Sequence, residues 1–233
     1  MTTRPASQPR QLKNRQTDAA GRLDAMDYIE HLNSTLFLII NASLPARPAL
    51  VTTAWFFAEY LIWVIPCGLV AAWLCGRGPW RRAAFRAALS ALLAFLISYA
   101  IGLAWPHPRP FVLGIGTNLL EHAPDSSFPS DHLTLWWAIA FSLLVPAHRR
   151  HGLPQIRLTG LVLALLGLPM AWARIYLGVH YPLDMLGAVL VALIGASGVA
   201  LCEGRVFDTL FGASERLYRF TFAPLIRLGC AKR

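Results

Sequence analysis

Long apolar stretches alternate with short polar ones along this chain. Apolar runs cover 34–44, 50–75, 83–105, 133–147, 158–176 and 182–202, with almost no charge inside them. A bilayer core of about 30 Å needs about 20 mostly apolar residues per crossing helix. The pattern therefore predicts an all-α, polytopic membrane helix bundle with five to six transmembrane helices. The first run is short and carries Asn41, so it either crosses with its flanks or lies as an interfacial helix. Proline and glycine groups at Pro45 to Pro48, Gly76 to Pro79, Pro106 to Pro110 and Gly152 to Pro154 break the runs. The expected organisation is a polar, mobile N-terminal segment (1–25), a membrane domain (26–204) and a basic tail (205–233), with no internal repeat. The tail mixes Phe207, Leu210, Phe211, Leu217, Phe220 and Phe222 with Arg216, Arg219 and Arg227. It reads either as an amphipathic helix on the inner membrane surface or as a solvated tail.

Composition sharpens this picture. The chain is 56% hydrophobic and only 14% charged, where a soluble domain carries about 25% charged residues. A net charge of +9 would suit nucleic acid, but the arginines sit between apolar runs, where membrane topology accounts for them, so no nucleic-acid partner is expected. With six crossings, 18 of the 21 Lys and Arg gather on one side, and Arg47, Arg109 and Arg174 are left on the other. The positive-inside rule then places the loops around these three outside the cytoplasm and both termini inside. The polar stretch to about Arg22 predicts no cleavable signal peptide. The four cysteines show no metal-like or redox spacing and predict no disulfide. Nothing in the sequence sets an oligomeric state.

The chemistry collects on the side left poor in charge. The loop after Trp105 and the link before Pro182 hold His107, Arg109, His122, Asp125, Ser130, Asp131, His132, Arg174, His180 and Asp184. Titratable groups are costly near hydrocarbon, so their gathering at matching helix ends marks a site. Two arginines, two histidines, a serine and a carboxylate suffice for phosphoryl transfer without a metal or other cofactor, because guanidinium groups clamp phosphate oxygens and stabilise the transferring group. In His180-Tyr-Pro-Leu-Asp184, Pro182 suits the first turn of a helix and Asp184 can reach back to the imidazole. A carboxylate on one ring nitrogen fixes the tautomer and leaves the other nitrogen free to attack phosphorus. His132 is then placed to protonate the leaving oxygen and later activate water.

Arg109-Pro110, Pro129-Ser-Asp-His132 and Arg174-Ile-Tyr-Leu-Gly-Val-His180-Tyr-Pro-Leu-Asp184 resemble, in order and spacing, the three signature motifs of the type-2 phosphatidic acid phosphatase superfamily. The resemblance spans about His31 to Cys202. It implies that Arg109, Ser130 and Arg174 bind phosphate, that His180 is the nucleophile, that Asp184 orients it and that His132 is the general acid. More narrowly, Pro106-His-Pro-Arg-Pro-Phe111, Phe128-Pro-Ser-Asp-His132 and Tyr176-Leu-Gly-Val-His180 are similar to the bacterial undecaprenyl-diphosphate phosphatases. That branch implies an inner-membrane enzyme that hydrolyses the isoprenoid carrier diphosphate to the monophosphate, recycling the carrier for cell-wall synthesis.

Three positions depart from the superfamily pattern: Gly102 stands where a lysine is usual, Asp131 where glycine is usual, and Ala173 where serine is usual. His107 either replaces part of the missing cation's charge or is a structural histidine at a helix end. Asp131 either holds His132 protonated, the reading favoured slightly, or caps the next helix. Glu59, a carboxylate at membrane depth, either faces the lipid-headgroup cavity or bonds to a neighbouring helix. Trp136 and Trp137 read as interface anchors or helix-packing residues, and Gly187, Ala188, Gly195 and Gly198 as points of close helix approach. Two alternatives stand beside the polyprenyl diphosphate as substrate. The first keeps the site but acts on phosphatidylglycerol phosphate, phosphatidic acid or a lipid A phosphate. The second is a transporter, which the clustering of polar groups at one face disfavours.

Overall fold

Four of the helices carry a proline in their first turn, Pro48, Pro79, Pro154 and Pro182. There its missing N–H is one that any helix leaves free. The computed structural model describes residues 26–145 and 153–227. The polar segment 1–25, Arg149 and Arg150, the break at Gly152 and the tail's end with Cys230 lie outside the described residues. Helix α1 covers 26–40 and α2 Pro48–Leu74. They are followed by α3 Gly78–Ala104, α4 Asp131–Leu144, α5 Pro154–Tyr176, α6 Pro182–Leu201, α7 Arg205–Thr221 and the short α8 Ala223–Arg227. No strand occurs among the described residues, so the all-α expectation holds.

Helices α2, α3, α5 and α6 are long and apolar enough to cross a bilayer. The sequence predicted five or six such helices. The difference lies in α1 and α4. Helix α4 has 14 residues, about 21 Å at 1.5 Å per residue, and is wrapped by α3, α5 and α6. Nine of its 14 residues are buried. The outer helices turn leucines outward at helical spacing, such as Leu158, Leu161, Leu165 and Leu168 on α5 and Leu186 and Leu190 on α6. Small residues let the backbones close inside: Gly195 lies against Ser90 and Ala94, Gly187 against the Phe128 ring and Gly198 against Leu93. Trp136 and Trp137 serve packing, each donating its indole N–H across to α5, to the carbonyls of Leu163 and Ala164. These features describe a multi-pass membrane protein.

Helix α1 behaves as the interfacial alternative. Glu30 faces His107, Asn33 accepts the Leu183 N–H at 3.0 Å, Phe37 packs edge-on to Tyr181, and Asn41 bonds the backbone of Thr117 and Tyr176. All of these partners stand at one end of the bundle, so α1 lies across that end. Helix α7 sits at the opposite end of the bundle. There the tail is a helix docked on α3 rather than a solvated strand of chain. Arg82 bonds Asp208 at 2.7 Å, and Arg81 stacks over Tyr218 with its charge 3.8 Å from Glu215.

Candidate active site

Because α3 to α6 run up and down, the ends of α3 and α5 and the starts of α4 and α6 meet at one end of the bundle. The residues that the sequence singled out stand on those ends and on the loops between them. The link from α5 to α6 is only 177–181. It turns at Gly178, whose φ of +89° and close approach to the Thr117 carbonyl exclude a side chain. His180 follows, almost fully buried.

Asp184 stands in the first turn of α6 and does two things with one oxygen. Its Oδ2 accepts the Tyr181 N–H at 2.7 Å, which caps the helix, and lies 3.1 Å from His180 Nδ1. Ser127 donates its hydroxyl to the same oxygen and sits 3.3 Å from Nδ1. The opposite nitrogen, His180 Nε2, is 3.0 Å from Arg109 Nη1. A guanidinium only donates, so Nε2 must present its lone pair and Nδ1 carries the proton toward Asp184. Burial, and next the charges of Arg109 and Arg174, hold the His180 pKa well below its ordinary value. The ring is therefore neutral, with the tautomer of a nitrogen nucleophile.

Arg109 is fixed by three further acceptors: Asp125 at 2.8 Å, the Val179 carbonyl at 2.9 Å and the Ser126 carbonyl at 3.3 Å. Arg174 is fully buried, and only its Nη1 is engaged, by the Ala58 carbonyl at 3.2 Å and by Glu59 at 3.6 Å. Its Nε and Nη2 have no hydrogen-bond partner among the described residues, and neither does the buried Ser130 hydroxyl. Buried donors of this kind are rare in finished structures and fit an anionic ligand. Ser130 immediately precedes α4, whose first turn leaves backbone N–H groups free by helix geometry. Its own N–H reaches the Asp184 carbonyl at 3.3 Å. His132 makes no hydrogen bond among the described residues.

The open readings resolve unevenly. Glu59 pairs with Arg174 from a π-helical turn of α2, Phe56–Tyr60, whose Ala58 supplies the carbonyl on the same arginine. Asp131 accepts the Ser98 hydroxyl at 2.8 Å and makes no hydrogen bond to His132 among the described residues. His107 pairs with Glu30 at 3.7 Å and packs between Trp105 and Tyr181, the structural alternative. Gly102 lines a cleft of about 170 Å³ together with Ser98, Asp125, Ser126 and Asp131. Sequence reasoning left out Ser127, and it named Asp125 and His122 without giving them a role. Ser127 adjoins the second motif, but nothing in its spacing marks it as a partner of Asp184.

Against known proteins, residues 83–208 match the family model of the PAP2 superfamily. A protein of Escherichia coli (strain K12), YbjG, provisionally named an undecaprenyl-diphosphatase, is 38% identical over 86% of this chain and 98% of its own length. The undecaprenyl-diphosphatase BcrC of Bacillus subtilis (strain 168) is 34% identical over 70% of this chain and 80% of its own. Among solved structures, LpxE of Aquifex aeolicus superposes with a TM-score of 0.57 at 27% identity, covering 72% of this chain and 94% of that one.

Proposed function

The chain belongs to the PAP2 superfamily of phosphatases, and on that premise we propose that it hydrolyses undecaprenyl diphosphate to undecaprenyl phosphate and phosphate, returning the lipid carrier to cell-wall synthesis. The bonding of His180 carries this reading: Nδ1 is tied to Asp184 and the Nε2 lone pair faces Arg109. In the proposed reaction Nε2 attacks the terminal phosphorus while Arg109, Arg174 and Ser130 hold its oxygens. The bond to the bridging oxygen breaks, and His132 delivers a proton to the departing prenyl phosphate. Asp184 stabilises the charge gained by His180 in the phosphohistidine. His132, now a base, then takes a proton from water, which attacks the phosphohistidine and releases phosphate. Glu59 acts as a positioning residue that holds the Arg174 guanidinium through Nη1.

The names of YbjG and BcrC support the choice of substrate. The experiment that tests it compares turnover of prenyl diphosphates with phosphatidylglycerol phosphate, phosphatidic acid and lipid A phosphate in detergent. Preference for a glycerolipid or lipid A phosphate would overturn the assignment.

We also place the protein in the bacterial inner membrane with the site facing the periplasm. Nine of the 21 Lys and Arg support this: Arg77, Arg81, Arg82, Arg86, Arg157, Arg205, Arg216, Arg219 and Arg227 belong to the end opposite the site. A cysteine near Gly116 should react with an impermeant thiol reagent from the periplasmic side, and one near Gly152 should not. The reverse pattern contradicts the orientation.

A further inference from the structure

His122 belongs to none of the three motifs, yet it stands beside the nucleophile. Its ring meets that of His180 edge-on, 6.3 Å between centroids. Its Nδ1 lies 3.1 Å from the Ala123 carbonyl and 3.8 Å from Asp125, the carboxylate that also holds Arg109. A carbonyl only accepts, so Nδ1 carries a proton. Nε2 is then the free atom, with no hydrogen-bond partner among the described residues. Burial, then the charge of Arg109, and further that of Arg174, hold its pKa below the ordinary histidine value, while Asp125 acts in the opposite sense. An anion held by both arginines removes their share of that opposition, and a phosphate oxygen set against Nε2 itself favours a proton there.

Two surroundings decide which part of the substrate meets it. The terminal phosphate of a substrate in line with His180 has its own donors in Arg109, Arg174 and Ser130. The cleft at Gly102, where the superfamily lysine is missing, is lined by Asp125 and Asp131, and two carboxylates repel a phosphate. The second phosphate of a diphosphate therefore needs a donor that the cleft does not supply, and His122, its ring 6.3 Å from that of His180, has a nitrogen to spare.

We propose that His122 is a specificity residue whose Nε2 donates a hydrogen bond to the inner phosphate of a bound prenyl diphosphate, the half that departs with the lipid. The inference rests on the proposed diphosphate substrate. It gives this chain a means of preferring diphosphates over monophosphates that the three motifs alone do not supply.

The test compares kcat/KM of the full-length wild type and His122→Gln on a prenyl diphosphate and on the prenyl monophosphate of equal chain length. A lost hydrogen bond to a charged group should lower the diphosphate value by about 10- to 100-fold. The monophosphate value should stay within about twofold of wild type, which also shows that the variant folds. Equal losses on both substrates, or none, overturn the inference while leaving the substrate assignment standing. A wild type inactive on the diphosphate overturns the assignment and the inference together. A second measurement avoids mutation: a prenyl methylenediphosphonate should protect wild-type His122 from diethyl pyrocarbonate, and the matching monophosphonate should not. Equal protection by the two contradicts the proposal.

Discussion

Arginines are buried at both ends of the bundle, and the two ends treat them differently. At the end that carries α7, Arg86 bonds the Ser142 carbonyl at 2.5 Å and lies 3.7 Å from Glu203, itself buried. Arg81 bonds the Trp73 carbonyl at 2.9 Å and lies near Glu215. Among the described residues, the Nε of Arg86 is the one buried nitrogen of these two arginines without a hydrogen-bond partner. At the site end, Arg174 keeps two guanidinium nitrogens without partners, and its one carboxylate, Glu59, is more than a third exposed. The first arrangement neutralises charge within the protein and ties α7 to α3. The second leaves positive charge unmet, which is costly unless a ligand completes it. The contrast teaches that burial of a cation marks a site only when its partners fall short.

The same substitution made at each end should break this comparison in opposite directions. Arg86→Met strands the Glu203 carboxylate and should cost about 3–5 kcal/mol of stability, with turnover per folded molecule kept. Denaturation in detergent alongside specific activity would measure both, and an unchanged unfolding midpoint would contradict the pairing. Arg174→Met should hold the unfolding midpoint and lower kcat/KM by about 10²–10³-fold, the scale of one lost donor to a transition-state oxygen. Retained activity would remove Arg174 from the phosphate site. Glu59→Gln keeps the shape and drops the charge behind Arg174. It should raise KM roughly two- to fivefold, in keeping with ~0.2–1 kcal/mol for a partly exposed pair, and a loss confined to kcat would contradict a positioning role.

A smaller effect concerns pH. The folded pKa of His180 lies well below its ordinary value, chiefly through burial. As pH falls through about 6.5, the unfolded chain protonates this residue first. Its contribution to stability is therefore full above about 6.5 and is lost progressively below it. Wild type should lose unfolding midpoint on acidification more steeply than His180→Gln, and parallel curves would contradict the buried neutral ring. The smallest effect is none: chelators should leave activity intact, because two arginines supply the positive charge. Loss in EDTA restored by Mg²⁺ would refute this.

Helices and motifs were legible in the sequence for different reasons. Runs such as 83–105 and 182–202 exceed a membrane's thickness, so length and composition alone identify them. Arg109, Ser130, His132, Arg174, His180 and Asp184 were legible because motif spacing singles them out at helix ends and on the short loops between. Helix α1 was not, because its place depends on Asn33 and Asn41 bonding backbone far away in sequence. The pairing of Glu59 with Arg174 was hidden for the same reason, since it spans α2 and α5 and depends on a π-helical turn. The bond of Asp131 to Ser98 was hidden because adjacency to His132 in sequence says nothing about direction at a helix start, where successive side chains diverge by about 100°. Ser127 and His122 lie on an irregular loop, where no periodicity reports which side chains point inward.

The account stands or falls on nucleophilic attack by His180. The most direct measurement is the stereochemical course at the transferred phosphorus, followed with a prenyl diphosphate made chiral at its terminal phosphorus by sulfur and oxygen isotopes. Attack by His180 and then by water comprises two in-line displacements and predicts net retention of configuration. Net inversion would mean that water attacks directly, and would contradict the phosphohistidine.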